Sequence, residues 1–185
     1  VKEARSSIDL GLGVRAYKNR GLGVAFSQSL NPSDVEKTVH RAVSFAKVAQ
    51  PDPYFKGIPG PSKAPAVSGL CDSEIVALTL EDSGGLAKRM IDAAEGVFPG
   101  AMYTGGFAAV HSKGCLMTST GVSLETEKTF VSAFLSPTYR KGEDVGSSYE
   151  YDYAISLAEM NFEWIGKTSS EKALEQFGSK KVESG

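Results

Sequence analysis

The sequence GLGVRAYKNRGLGVAFS, residues 11–27, decides the fold of the first part of the chain. From Ile8 to Tyr17, apolar side chains alternate with residues that are mostly polar or glycine. This period of two predicts a strand with one buried face. Lys18–Gly21 supplies residues that tolerate positive φ, as a tight turn requires. The alternation then resumes, so we expect a β-hairpin over residues 8–27 in an antiparallel sheet. Its predicted buried face carries Ile8, Leu10, Leu12, Val14, Ala16, Leu22, Val24 and Phe26.

The opposite face of this hairpin is bare apart from one cation. It carries Gly11, Gly13 and Gly23 around Arg15, and glycine inside a strand often marks close approach by another backbone or a ligand. Two interpretations follow: an approach site for a partner or extended peptide, or tight packing against a neighbouring strand. The tripeptide GLG occurs at residues 11–13 and 21–23. Neither copy is followed by the start of a helix, as a phosphate-binding loop would be, and this argues against a nucleotide site.

The composition is that of an ordinary globular protein. The 185 residues are 41% hydrophobic and 23% charged, enough for a core in one domain or two small ones. A net charge of −2 gives no field that attracts nucleic acid or a membrane surface, and neither a membrane span nor a signal peptide is visible. Cys71 and Cys115 form no disulfide framework, which favours a reducing, cytoplasmic setting. The chain starts at Val1 without methionine, as expected of a fragment.

Helical signals occur at three places. Asn31 and Pro32 precede an apolar stripe that predicts a helix over residues 33–48, packed on the apolar face of the hairpin. A second helix is predicted from Leu80, and a third has a capping box in the last part of the chain. The predicted cap pairs are Thr79 with Asp82 and Thr168 with Glu171. Between the first two helices, the Pro/Gly-rich residues 51–71 are a binding loop or lid, or else an ordered surface crossover.

Strand signals dominate residues 106–157. We expect strands over 107–112 and 115–119 around a turn at Lys113–Gly114, then a strand over 124–135 and a polar loop to residue 147. Tyr149, Tyr151 and Tyr153 lie on one face of a last strand. We interpret that row as a core face rather than a stacking platform, since no basic residues accompany it.

These elements predict the fold class. Hairpins and capped helices without regular strand–helix–strand alternation indicate an α+β two-layer sandwich, in which an antiparallel sheet packs helices on one face. A possible sub-division is a hairpin–helix unit (1–50), the Pro/Gly-rich crossover (51–71) and a helix–sheet–helix unit (72–185).

Candidate catalytic residues are few. His40 and His111 are the only histidines, and His40 lies one step off its helix stripe. His111 and Cys115 straddle the predicted turn, but no third group orients them as a nucleophilic pair. The pair Glu125 and Glu127 fits a solvated strand edge. No zinc, redox, phosphate-loop or serine-elbow motif is present, so we predict no catalytic, cofactor-binding or metal-ligating residue in this chain.

The order of these segments resembles the TldD/PmbA family, once called modulators of DNA gyrase. Residues 11–53 follow that family's strand, turn, strand and amphipathic helix, ending in Pro51-Asp52-Pro53. The later matches are Gly105-Gly106-Phe107, Ser112-Lys113-Gly114, residues 118–121 (TSTG) and residues 151–154 (YDYA). The loop after the first helix and the stretch Glu163–Gly166 look closer to the PmbA (TldE) branch.

The resemblance implies a function for the longer proteins of the family. Its two branches pair into a protease that trims peptides, and the metal ligands lie in a HExxxH motif in the C-terminal half of the TldD branch. Zinc is therefore expected only in a TldD-type partner, and no family catalytic residue transfers to this chain.

Three hypotheses follow for this chain. The first is the N-terminal portion of a PmbA-type subunit, without the C-terminal domain, that scaffolds a metallopeptidase system acting on unfolded peptides. The second is a gyrase-modulator-type protein-binding module without proteolysis. The third is a small enzyme using Cys115 and His111. We expect a homo-oligomer or a complex with a TldD-type subunit, with a peptide as possible substrate, and no nucleic acid or membrane partner.

Overall fold

The computed structural model describes residues 3–62 and 65–180, which form two compact units. The first unit is Ser6–Gly60, and the second comprises residues 3–5 and the described residues from Pro61 onward. The elements of the first unit are β1 (Leu12–Lys18), β2 (Gly21–Ser27) and α1 (Pro32–Val48). The antiparallel sheets and packed helices confirm the predicted α+β class. The boundaries of the predicted sub-division stay a prediction.

The first unit contains the predicted hairpin. β1 pairs antiparallel with β2 through a turn whose central residues, Asn19 and Arg20, have φ of 50° and 66°. Positive φ at both positions matches the right-handed twist of the two strands. Ile8 and Leu10 were predicted to lie on the buried face, but they precede β1 and are exposed.

The register of β2 is the reverse of the prediction. Leu12 and Val14 face α1 as expected and Arg15 is exposed, but the buried residues of β2 are Gly21, Gly23 and Ala25. A Cβ on Gly23 would lie 1.9 Å from the carbonyl oxygen of Ala42 in α1. The predicted glycine face is therefore divided: Gly23 meets a helix backbone rather than a neighbouring strand, whereas Gly13 stays with Arg15 on the other side. The larger side chains Leu22, Val24 and Phe26 share that other side.

Helix α1 has the bounds that its sequence predicts. Ala42 and Ala46 of the predicted stripe are fully buried, together with Thr38, whose hydroxyl donates to the Asp34 carbonyl at 2.7 Å. Asn31 is the N-cap residue, but its side chain makes no capping hydrogen bond. Small residues on the buried side let the helix approach the hairpin closely.

The second unit packs helices on one face of a four-stranded antiparallel sheet, with strands in the order β3-β4-β5 and β6 also paired with β4. Its elements are α2 (Ser73–Ala77), α3 (Leu80–Val97), β3 (Met102–Met117), β4 (Ser123–Lys141), β5 (Asp144–Ser147), β6 (Glu150–Ala154) and α4 (Phe162–Leu174). The core lies between the sheet and the two long helices, and it contains Met90, Val131, Leu135, Phe162 and Ile165.

Strand alternation separates the two faces of this sheet. The odd-numbered residues of β3 and β4 face the helices: Val131, Ala133 and Leu135 are buried. The even-numbered residues face away from the helices, and Phe130 and Phe134 of β4 are exposed. No helix of the described residues covers this second face, which we call the open face.

Several predicted boundaries in this unit are wrong. β3 runs straight through Lys113–Gly114, where a turn was expected, because each residue from 102 to 117 has a partner on β4. The expected polar loop at 136–147 is the end of β4 and a hairpin to β5. Helix α4 begins earlier than its predicted capping box, with the Asn161 side chain accepting from the Trp164 amide at 2.9 Å.

The described part of the Pro/Gly-rich segment has anchors within each unit. Phe55 stacks on Tyr17 with ring centroids 4.2 Å apart, and the Asp52 amide donates to the Arg20 carbonyl. Near its other end, the Leu70 carbonyl accepts from the Thr129 amide at 2.8 Å. These contacts favour an ordered crossover over a lid. Across the described residues, no helix has the length and apolarity that crossing a membrane demands.

Candidate functional site

The open face of the second unit carries the predicted tyrosine row. Tyr149, Tyr151 and Tyr153 are 63%, 53% and 62% exposed, so the prediction that they form a core face is wrong. In the sheet register, Tyr151 pairs with Phe134, whose side chain is on the same open face. The row is therefore a surface of rings, and we call it, together with Phe130 and Phe134, the aromatic surface.

The opposite side of β6 explains why the tyrosines face outward. Glu150 forms an ion pair with Lys172 of α4, and this hydrogen bond is the main cause that lowers the pKa of its carboxyl. Asp152 accepts from the Asn161 amide at the start of α4, and Ala154 packs against the core. Because α4 supplies partners for both acids, the polar side of β6 faces the helices and the apolar side is left uncovered.

The rings of the aromatic surface form an ordered array. The centroids of Tyr149 and Tyr151 are 6.4 Å apart, those of Tyr151 and Tyr153 are 6.3 Å apart, and both pairs are nearly parallel. Phe130 lies 6.1 Å from Tyr153. A shallow groove of about 400 Å³ lies over this array. Tyrosine, whose ring is apolar and whose hydroxyl is polar, is among the side chains enriched at protein interfaces.

A second group of side chains lies on the other face of the same sheet. Atoms of Cys71, His111 and Glu127 that could ligate a metal all lie within 4.8 Å of one another. His111 Nε2 is 2.8 Å from Glu127 Oε1, and Lys113 Nζ is 3.0 Å from the same oxygen. The hydrogen bond from His111, followed by that from Lys113, lowers the pKa of the Glu127 carboxyl.

This group differs from the pair weighed in the sequence. His111 and Cys115 lie four positions apart on one straight strand, so the predicted turn does not bring them together. His111 instead meets Cys71 and Glu127, a combination that spacing along the chain did not indicate. His40 lies in the first unit, where it pairs with Glu36 on α1.

Comparisons with known proteins agree with this fold. The model of the PmbA/TldA metallopeptidase central domain matches residues 74–177, and the model of domain 1 of the same family matches residues 1–46. A comparison with curated proteins returned no match.

Solved structures share the fold at low identity. TldE from Thermococcus kodakarensis has a TM-score of 0.76 and 21% identity, over 88% of this chain and 37% of its own. A protein from Bacteroides thetaiotaomicron, named as a candidate modulator of DNA gyrase, has a TM-score of 0.80 and 22% identity over 95% and 41%. A similarly named protein from Thermotoga maritima has a TM-score of 0.64 and 22% identity over 95% and 39%. This chain thus spans less than half the length of each.

Because the sequence identities are low, the structural likeness by itself shows only that the fold is shared. The family follows from the central-domain model, because it matches more than half of the chain and covers the sheet, α3 and α4. The chain belongs to the PmbA/TldD family.

Proposed function

We propose that this chain is the scaffold portion of a PmbA (TldE)-type subunit, which assembles with a TldD-type partner into a metallopeptidase acting on unfolded peptides. The single observation that carries the proposal is the aromatic surface, an uncovered array of rings on the family's central domain. We assign to this chain the role of binding the partner through that surface.

The extent of the open face favours a protein partner over a short ligand. Further apolar side chains are exposed on the same face along β3 and β4. They are Met102, Val110, Leu116 and Leu124. Val110 lies opposite Phe130, and the others are separated from the aromatic surface by polar residues such as Lys128 and Thr138. Large exposed apolar patches with polar rims are rare on monomeric proteins and mark protein interfaces. The groove itself is open and shallow, unlike the enclosed clefts that hold small molecules.

The partner that we assign is a TldD-type subunit. The matching domain models are named for a metallopeptidase, and one solved structure of the same fold is a TldE protein. The family's HExxxH motif is not in these 185 residues, whose two histidines are His40 and His111. In this proposal the partner holds the zinc and performs the chemistry, and this chain supplies binding surface and encloses the peptide.

A binding experiment tests the proposal. The protein is titrated with a HExxxH-bearing TldD-type protein from the same genome, and the dissociation constant is measured by calorimetry for wild type and for Tyr151→Ser combined with Phe134→Ser. Truncating two central aromatic residues should weaken binding by about tenfold or more, a loss of at least about 1.4 kcal/mol, since a few central residues carry most of an interface's binding energy and tyrosine is enriched among them.

The matched control is Tyr54→Ser, which removes an 85% exposed tyrosine from the first unit and should leave binding unchanged. Chelator-sensitive cleavage of an unfolded peptide by the mixture is the second measurement. Wild-type affinity in the double variant would overturn the assigned surface. Binding without any cleavage would instead favour the gyrase-modulator-type alternative, a binding module without proteolysis.

A further inference from the structure

Cys71, His111 and Glu127 come from three separate segments of the second unit. Cys71 belongs to the crossover before α2, His111 to β3 and Glu127 to β4. A thiol, an imidazole and a carboxylate are the three side-chain types that bind zinc in proteins. Their convergence is independent of the aromatic surface, which lies on the opposite face of the sheet.

The backbone on both sides of Cys71 is fixed to β4 at Thr129. The Thr129 amide donates to the Leu70 carbonyl at 2.8 Å, and its hydroxyl oxygen accepts from the Asp72 amide at 2.9 Å. That hydroxyl also donates to the Ile155 carbonyl at 2.8 Å, and Thr129 is only 2% exposed. Since Thr129 is the cross-strand partner of His111, these bonds place Cys71 beside the imidazole.

The two sheet ligands are fixed by the register of β3 and β4. His111 lies opposite Thr129 and Lys113 lies opposite Glu127, so His111 and Glu127 are diagonal neighbours on one face. Such neighbours are within reach of each other for long side chains. His111 Nε2 and Glu127 Oε1 are already in contact at 2.8 Å.

The separations suit a tetrahedral ion after small side-chain movements. With metal–ligand distances of about 2.0 to 2.3 Å, ligand atoms around zinc lie roughly 3.3 to 3.6 Å apart. The present atoms lie within 4.8 Å of one another, so rotation of exposed side chains closes the difference. The fourth position faces solvent, as in sites with three protein ligands and one water.

We propose that Cys71, His111 and Glu127 bind one Zn²⁺ ion. On binding, the thiol releases its proton to solvent and coordinates as a thiolate. The proton on the imidazole nitrogen that faces Glu127 passes through solvent to the other ring nitrogen, so that a neutral imidazole coordinates, and the carboxylate binds the ion instead of accepting from His111. Lys113, whose side chain is 69% exposed, leaves Glu127 for solvent. This site departs from the prediction that the chain holds no metal ligand, and it is distinct from the family's HExxxH motif.

The test is a cobalt titration of the untagged, chelator-treated protein under reducing conditions. Cobalt bound by a thiolate gives an ultraviolet charge-transfer absorption, so the spectrum reports Cys71 directly. We expect one equivalent to saturate the signal and zinc to abolish it by displacement. Cys71→Ser should remove the charge-transfer band, and His111→Ala and Glu127→Gln should each weaken zinc binding by about tenfold or more.

The chain offers matched controls for each ligand. Cys115→Ser, Glu125→Gln and His40→Ala change an exposed residue of the same type and should leave affinity and spectrum unchanged. Circular dichroism of every variant checks that it is folded. No charge-transfer band in wild type, or loss of the band in Cys115→Ser but not in Cys71→Ser, would overturn the site. The site would also be overturned if Cys71 reacted faster than Cys115 with an alkylating reagent while the protein bound no zinc. That result would indicate an activated thiol rather than a metal ligand.

Discussion

Gly166 of α4 packs directly against the backbone of α3, and replacing it tests how the second unit is packed. An ideal Cβ at this position would lie 2.0 Å from the Met90 carbonyl oxygen and 3.1 Å from the Ala93 Cβ. Real Cβ atoms essentially never come closer than 3.0 Å to such an atom, and the oxygen belongs to backbone that cannot rotate away. Gly166→Ala must therefore push the two helices apart by about 1 Å, because packed interiors hold no spare volume.

The expected cost combines two opposite effects. Overpacking a close contact costs about 1 to 3 kcal/mol, and the upper end applies here because a helix rather than a side chain must move. Alanine gains about 1 kcal/mol over glycine inside a helix. The net effect is a loss of roughly 2 kcal/mol, which lowers the melting temperature by about 6 to 10 °C in a unit of this size.

Urea unfolding followed by tryptophan fluorescence measures this loss. Trp164 is the only tryptophan, and it lies two residues before Gly166, so the signal reports the second unit. The control is Gly85→Ala in α3, where no atom lies within 4 Å of the added Cβ. That variant should gain up to about 1 kcal/mol. Equal stabilisation of both variants would refute the packing argument.

The remaining predictions concern hydrogen bonding, hairpin packing and pH. Tyr139→Phe should cost about 1 to 2 kcal/mol by urea unfolding, because it leaves the buried hydroxyl of Ser170 without its partner at 2.9 Å. Gly23→Ala should destabilise the first unit in hydrogen exchange, whereas Gly13→Ala, which meets only a ring edge at 3.4 Å, should not; equal protection would contradict the register. Hydrogen bonds from Leu157, Glu74 and Ser156 lower the pKa of Asp72 from its ordinary 3.8. The ionised Asp72 therefore stabilises the fold above about pH 4, and this stabilisation is lost as the pH falls through the folded pKa. The melting temperature should consequently fall less steeply with acid in Asp72→Asn than in wild type.

Features fixed by neighbouring residues could be predicted from the sequence. Helix α3 begins at Leu80 with the capping box of Thr79 and Asp82, and both reciprocal hydrogen bonds are present. The hairpin turn and α1 are in the predicted places for the same reason. Capping bonds and positive φ act over four residues or fewer, so the local sequence contains the information.

The choice of buried face could not be predicted in the same way. An alternation of two marks a strand, but which side is buried depends on the element that covers it. On β2 the close approach of α1 requires small residues, so Gly23 is buried and Phe26 is exposed. On β6, Lys172 and the start of α4 bind the acidic side, and the tyrosines face outward. Both errors follow from treating hydrophobicity as the only determinant.

The Cys71 cluster was beyond sequence reasoning for a different reason. The spacing of Cys71, His111 and Glu127 follows no metal motif, since the residues come from a crossover and two strands. Their proximity depends on the β3–β4 register and on the bonds that Thr129 makes to Leu70 and Asp72. A straight β3 replaces the turn that was predicted at residue 113, and only that change brings His111 opposite Thr129.

The two candidate sites lie on opposite faces of the sheet, because successive side chains of β3 and β4 alternate between these faces. On β4 the odd-numbered Glu127 and Thr129 face the side of the helices, and the even-numbered Phe130 and Phe134 face the open side. Side chains on opposite faces of a sheet make no contact with each other, so a change on one face leaves the other in place. Tyr151→Ser can therefore serve as a folded control for zinc binding, and Cys71→Ser as one for partner binding. If a variant on one face abolished both zinc binding and partner binding, the sheet that carries both sites would be unfolded. Such a variant would support neither assignment.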